Sequence, residues 1–599
     1  MASNYQINWT LETIYPGGVE TNRFQELLLE MASRVHALKE SLDSLEAFTS
    51  HPEQWAQFIH DFETLSHELI TPTVFASCWS SVRTLETAPR LAYGKMLNLF
   101  SLMEEIQVPI QNQLDVLSNE EFERFVTTDM LADYRELLKN RRSRRHLRND
   151  SDTETLLAQV MPQALTGWGQ LYTMIAGRLQ AEIKLPGEAP KTMGISQVSA
   201  LMHAPDEGTR KAAHTARNEA WATEETVCSL ALYQITETRR KRNARCGVGE
   251  LEHTLTRNRL DGAALDAMWA ACDAARPALL EYLRRKAQLM GKESLEPWNM
   301  SAPLSVEENP SLSWEEACDW IKESFDSFDP EMADFADRAL SKGWVDALPG
   351  ANRRAGGYCT GVSTLNESRI FMTFNETYRS ATTLAHELGH AWHNEVLFKV
   401  PHGKRNIVSS TAETASTFAE ALFRDHLFDK AQSEALKLQL LDQQLIAGAS
   451  FLMGLPVRFS FERKLYELAA KGPFSPSELS ETYAALFKDT YADTVSPGPT
   501  HLWCSTLHYY IAQFGFYNWP YTFGYLFSGH IYQQAKLEGK AFREPMTNLL
   551  LGTGTLPSVE LAQRHLNVDI TTESFWVNAI TPLLDTQRVF MEKSKAFLT

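Results

Sequence analysis

Three histidines and a glutamate fall within eight residues of the segment ATTLAHELGHAWH, residues 381–393. His386 and His390 are four positions apart. On an α-helix their imidazoles share one face, offset by about 6 Å along the axis. At that spacing two neutral imidazoles can hold one cation at about 2.1 Å each. Glu387 projects beside the pair, where a carboxylate can take a proton from water. The pattern H-E-x-x-H therefore points to hydrolysis assisted by a metal. The bland alternative is a solvated helix face carrying hydrogen-bonded histidines.

A catalytic zinc site needs a third protein ligand and an open position. A glycine at 393 with a histidine at 396 would supply it locally, but the chain has His393 and Val396. His393 itself lies about 10.5 Å along the axis from His386, too far for three-way chelation. It reads instead as a residue beside the ligands or facing substrate. A carboxylate from the next helical segment is the other route. Residues 410–427 (STAETASTFAEALFRDHL) contain Glu413 and Glu420, two turns apart on one face. If this segment packs antiparallel to the first, Glu413 approaches the two histidines. Two inward glutamates are costly unless paired or metal-bound, and the alternative is that both face water.

The elements that must position these groups are mostly helical. Apolar residues recur at three- and four-residue steps over Phe24–Leu45, Trp55–Leu69, Leu117–Arg148 and Leu156–Gln180, and again from Ile195 to about Leu289. Ser118 before Asn119-Glu120-Glu121 reads as a helix N-cap. For the helix at 381–400, Ser380 or Thr382 is the expected cap. The segment Ala181–Gly194 breaks the pattern with two prolines and two glycines, which predicts a short strand or hairpin and a boundary. That divides the chain into a helical region, 1–180, and a larger region, 181–599, holding the histidine motif. Gly356–Val362 and Arg369–Phe374 read as a β-hairpin just before that motif. Gly356, Gly357 and Gly361 would let another backbone approach closely, as when a peptide adds to a sheet edge. The expected fold is mainly α, with one small sheet beside the histidine helix.

Composition limits the partners. The 599 residues carry a formal charge of −18, which disfavours polyanions and anionic membranes. The basic runs KNRRSRRHLR (139–148) and RRKRNAR (239–245) lack interleaved aromatics and lie on helical segments, so a nucleic-acid binder is the remote reading. Seven scattered cysteines suit a reducing compartment. The N-terminal residues lack the pattern of a signal peptide. The most apolar run, Leu445–Val457, is too short to span a membrane and contains Pro456. Cytoplasmic is the expectation, with no membrane partner; the oligomeric state is left open.

HELGHAWH followed by AETASTFAE resembles the thimet oligopeptidase family of zinc metallopeptidases, and within it the oligoendopeptidase F branch. WTLETIYPG, AGGYCTG, FMTFNET, FYNWPYTFGYLFSG and LAQRHLNVDITTESFW extend the resemblance along nearly the whole chain. It implies one Zn2+ per chain held by His386, His390 and Glu413, with Glu387 as general base and Glu420 orienting a ligand histidine. It implies that a histidine and tyrosines from the C-terminal part assist the transition state. His508 and Tyr525 match best, and Tyr521 is a weaker match. It also implies two helical lobes around a deep channel that admits oligopeptides. The activity expected from the resemblance is internal cleavage of short unstructured peptides by a metal-activated water. An exopeptidase on a related scaffold and a catalytically silent peptide binder are the alternatives.

Overall fold

The computed structural model describes residues 5–304, 311–350, 352–354 and 356–598. The chain forms two compact units, each assembled from three segments. The first comprises Met1–Thr155, Pro310–Leu427 and Ile531–Leu566; the second comprises Leu156–Asn309, Phe428–His530 and Asn567–Thr599. Helices dominate, and the described strands form one two-stranded and one three-stranded sheet.

In the first unit the helices Asn22–Asp43, Pro52–Val82 and Thr87–Val116 pack on one another. Phe24, Val35, Ile59, Leu69, Phe75, Met96 and Leu114 fill the space between them. The stretch read as helical from Leu117 to Arg148 is broken into short pieces, the first of which is Asn119–Val126. Ser118 caps it in a reciprocal bond with Glu121, as the sequence indicates.

The sheet of this unit has the order β3-β5-β4, where β3 is Val345–Asp346, β4 is Tyr358–Val362 and β5 is Glu367–Phe371. β4 and β5 form the expected antiparallel hairpin, with Tyr358 opposite Phe371, and β3 joins β5 in parallel. Gly356 and Gly357 precede the strand instead of lying in it. Val362 and Phe371 are fully buried and belong to the same core as the three helices, which ties the hairpin down.

Helix Tyr378–Leu397 packs on both hairpin strands and on helices Trp314–Phe328 and Pro330–Ser341. Its N-cap is Thr377, whose hydroxyl accepts the Ser380 amide, so the helix begins three residues earlier than the sequence suggests. Ser380 returns the contact to the Thr377 amide. Leu384, Ala385, Leu388, Ala391 and Val396 form its fully buried stripe.

In the second unit β1 (Gln180–Ile183) and β2 (Lys191–Gly194) form the second hairpin, at the position where the sequence breaks its helical pattern. Two helix segments, Glu434–Ala449 and Leu455–Ala469, run on through a π-helical turn at Ser450–Gly454. Together they form the one described helix long and apolar enough, by length and composition, to cross a membrane. The run read from sequence ended at Val457, but Pro456 sits in the first turn after the π segment and does not stop the helix. This helix carries buried acids with intramolecular partners. Asp442 pairs with Lys286 at 2.9 Å and accepts the Tyr282 hydroxyl at 2.7 Å. Such groups mark a helix inside a protein core.

Candidate metal centre

Helix Tyr378–Leu397 holds His386 and His390 with their rings 4.8 Å apart and nearly perpendicular. The third member comes from a break in the chain. The segment expected as one helix from 410 to 427 is a single turn, Ser409–Ala412, followed by helix Thr414–Lys430. Glu413 sits at the joint. Its Oε2 lies 3.4 Å from His386 Nε2 and 3.3 Å from His390 Nε2. The three donor atoms close a triangle with no side longer than 4.8 Å.

Four ligands at about 2.0–2.1 Å in a tetrahedron stand about 3.4 Å from one another. The two carboxylate–imidazole distances match that edge. Each of the three side chains keeps about a quarter of its surface exposed, which leaves a face for a fourth ligand.

The surroundings favour a cation at this point. His386 Nδ1 donates to Glu420 Oε2 at 3.3 Å, which turns Nε2 toward the triangle. Arg424 donates to the other Glu420 oxygen at 3.1 Å and fixes that carboxylate. Burial alone would lower the His386 pKa, but Glu413 and Glu420 outweigh it and raise it to about 10. Despite its burial, Glu413 is held well below the ordinary carboxylate range by His386 and His390. Ser416 donates to Glu413 Oε2 at 2.8 Å and limits its rotation.

Gly389, between the two histidines, lets the helices touch. A Cβ there would lie 2.6 Å from the Ala415 carbonyl oxygen and from Ser416 Cα, and 2.8 Å from Ala419 Cβ. The backbone approach that this permits sets Glu413 opposite the imidazoles.

Glu387 is buried, and its Oε2 has no hydrogen-bond partner among the described residues. Burial raises its pKa; the two histidines oppose the shift, and Glu413 adds to it. A buried carboxylate oxygen without a partner is costly unless a water or substrate atom meets it. Gly357 stands over this group: a Cβ at that position would lie 3.3 Å from Glu387 Oε1. Gly361 is close to Asn394 and Phe398, whereas Gly356 has open space and a φ of +88°, which favours glycine.

His393 stands apart from the three ligand candidates. It neither joins the triangle nor faces solvent, being 1% exposed with Nε2 2.8 Å from the Thr553 hydroxyl. Helix Arg543–Gly552 packs over this side of the histidine helix and buries the ring. Burial, reinforced by His390, pushes its pKa down to about 3.

The C-terminal candidates belong to the second unit. His508 Nδ1 is 2.7 Å from Asn518 Oδ1. Its ring is parallel to that of Tyr521 at 5.7 Å and meets Tyr517 edge-on at 5.3 Å. Tyr525, one turn further along the same helix, stacks on Phe451 at 4.6 Å. The structure thus gathers His508 with Tyr521, the weaker match, and with Tyr517, which sequence reasoning passed over. The four-residue step from Tyr517 to Tyr521 was the available signal.

The basic runs are engaged within the fold. Arg141 pairs with Glu63, Arg142 donates to the carbonyls of Leu114 and Leu117, and Arg148 meets Asp115 at 3.0 Å. In the second run Arg239 is buried, and Arg240 and Lys241 both pair with Glu237.

Residues 200–580 match the family described as Peptidase family M3. The chain is 24% identical over 295 residues to oligopeptidase PepF of Bacillus subtilis (strain 168), spanning 48% of this chain but only 43% of that protein. It is 21% identical over 540 residues to an oligoendopeptidase F homolog of Lactococcus lactis subsp. lactis (strain IL1403), covering 87% and 86% of the two chains. The crystal structure of oligoendopeptidase-F from Enterococcus faecium superposes with a TM-score of 0.73 at 16% identity, over 96% of this chain and 99% of that one. At that identity the superposition speaks for the fold.

Proposed function

The chain belongs to peptidase family M3, and from that premise we propose that it is a zinc-dependent endopeptidase that cleaves internal bonds of short, unstructured peptides. The observation that carries this reading is the His386–His390–Glu413 triangle with the unpartnered carboxylate oxygen of Glu387 beside the histidine pair. One Zn2+ held by the three residues would supply a Lewis acid to polarise the scissile carbonyl and to acidify water.

The chain's own residues do the rest. Glu387 accepts a proton from the attacking water at its carboxylate and passes it to the departing amine. Burial, which raises its pKa, makes it a better base than an exposed glutamate. Glu420, fixed by Arg424, keeps the His386 ring oriented with Nε2 toward Glu413 and His390. We assign stabilisation of the oxyanion to His508 and Tyr521, whose rings stack, together with Tyr525. Gly357 lets a substrate backbone pass close to Glu387, and β4, an edge strand among the described residues, offers it main-chain hydrogen bonds.

The relatives' names, oligopeptidase and oligoendopeptidase, support peptides as substrates. Seven cysteines scattered along the chain suit a cytoplasmic enzyme. The intramolecular partners of Arg141, Arg142, Arg148, Arg239 and Arg240 support a reading without nucleic acid. The test is mass spectrometry of fragments from peptides blocked at both ends. Internal cuts should appear, vanish with a chelator and return with zinc. Cleavage of only free-ended peptides would instead favour an exopeptidase, and no cleavage at all would leave a silent peptide binder.

A further inference from the structure

The segment Ile511–Phe516 joins His508 to Tyr517 and Tyr521 and contains no regular structure. It is held from beneath by one buried side chain. Arg239, on helix Glu225–Arg245, is 2% exposed. Its guanidinium donates to the carbonyl of Ile511, to that of Ala512 at 3.3 Å and to that of Phe514 at 2.6 Å. Nη1 meets the Tyr466 hydroxyl at 3.3 Å.

Two buried carboxylates complete the arrangement. Glu250 stands 4.0 Å and Glu462 3.9 Å from the guanidinium. Glu462 Oε1 accepts the Phe516 amide at 2.7 Å, and the Thr254 hydroxyl donates to the Gly515 carbonyl at 3.0 Å. Glu250 also fills the space a side chain at 515 would need: a Cβ there would lie 2.5 Å from its Oε1. Phe516 has a φ of 53°, a left-handed conformation that a bulky residue keeps only when its surroundings impose it.

Most loops satisfy their carbonyls with water. This one gives three of them to a single arginine, and its left-handed residue leads directly into Tyr517 and Asn518. The planar fork of arginine suits such capture, whereas a lysine offers a point charge with no fixed directions. We infer that Arg239, flanked by Glu250 and Glu462, is a positioning residue for the His508–Tyr517–Tyr521 cluster, fixing the backbone that brings these rings together. The inference rests on the assignment of His508 and Tyr521 to the reaction proposed above.

The test uses the full-length, zinc-loaded enzyme and the variants Arg239→Lys and Gly515→Ala. Three quantities are measured: kcat and KM on an end-blocked peptide, zinc content, and amide hydrogen exchange over 511–518, with 378–397 as reference. Both variants should lose at least tenfold in kcat with KM within threefold and zinc content unchanged. Exchange over 511–518 should rise at least tenfold while the reference segment stays the same. Adding Tyr521→Phe to Arg239→Lys should cost less than twofold more in kcat, because the tyrosine is already misplaced.

A kcat within twofold of the parent in both variants overturns the inference. So does a full additional loss from Tyr521→Phe, or unchanged exchange over 511–518. If Arg239→Lys does not fold, Gly515→Ala decides alone. If the parent enzyme cleaves no peptide, the functional assignment fails by itself, and unaltered exchange would then refute the clamp independently.

Discussion

Gly389→Ala tests whether the close contact between two helices sets the metal triangle. The added Cβ would meet the Ala415 carbonyl oxygen and Ser416 Cα at 2.6 Å, where ordinary contact begins near 3.4 Å. Relief requires a separation of about 0.8 Å, the difference of those two values. Neither atom can swing aside, because both are backbone. The helix Thr414–Lys430 must therefore move away from its neighbour and carry Glu413 with it. Metal sites tolerate only about 0.2 Å in their ligand distances, so the displacement exceeds that tolerance several-fold.

Two energies compete in the same substitution. Alanine gains about 1 kcal/mol over glycine in a helix interior. Overpacking a tight contact costs about 1–3 kcal/mol, and rigid backbone neighbours place this case toward the upper end. The metal-free protein should lose about 1–2 kcal/mol of stability, and zinc affinity should fall at least tenfold. Thermal melts of the metal-free protein and competition with a chromogenic chelator separate the two effects. Zinc affinity within threefold of the parent, together with an unchanged or higher melting temperature, would refute the idea that this contact fixes Glu413.

Three further outcomes are expected. Glu387→Gln should retain zinc and lose kcat by roughly 10²–10⁴-fold, the range of a general base; near-normal turnover would remove Glu387 from that role. Glu420→Ala should weaken zinc binding by about 10–100-fold, as loss of a carboxylate behind a ligand histidine does; unchanged binding in the chelator competition would make the Glu420–His386 bond incidental. The third concerns pH. Burial, opposed by Arg239 and by the bond from the Phe516 amide but reinforced by Glu250, raises the Glu462 pKa from 4.5 to about 7. The folded protein then keeps a proton that the unfolded chain has released. The Glu462 contribution should fall as pH climbs from about 4.5 to about 7, by a total of about 3 kcal/mol. Glu462→Gln should flatten that part of the urea-unfolding profile, and identical slopes in parent and variant would count against the shift.

The histidine helix was legible because its signal is local. His386, Glu387 and His390 fall within one turn, and the periodicity around them leaves few alternatives. Glu413 was less so: spacing placed it and Glu420 on one face, and an assumed antiparallel packing and the resemblance set it ahead. The break at Glu413 and the small residues Gly389, Ala415 and Ala419 decide the matter, and their effect depends on a second helix that local periodicity cannot supply. The surroundings of His393 were hidden for the same reason. Its partner Thr553 is 160 positions away, and nothing near residue 393 announces it. Tyr521 and Tyr525 share a helix and a local sequence style; the stack of Tyr521 on His508 and the stack of Tyr525 on Phe451 distinguish them. The compact units were beyond a linear reading, because each gathers three separate stretches of chain.

Two devices position the chemistry, and they use opposite means. At the metal triangle, side chains are kept small so that backbones meet: glycine at 389 faces alanine and serine, and the packed helices leave Glu413 little freedom. At the loop before Tyr517, a large charged side chain is buried so that irregular backbone can be held without a helix or strand. The difference follows from what each must fix. Three ligand atoms need tolerances of about 0.2 Å, which packed helices supply. An aromatic cluster needs a particular chain path through a turn with a left-handed phenylalanine, and only directed hydrogen bonds can impose that path. If this division is correct, substitutions at Gly389 should act on metal affinity with little effect on hydrogen exchange over 511–518, and substitutions at Arg239 should do the reverse. A variant of either residue that moved both observables together would show that the two devices are not independent.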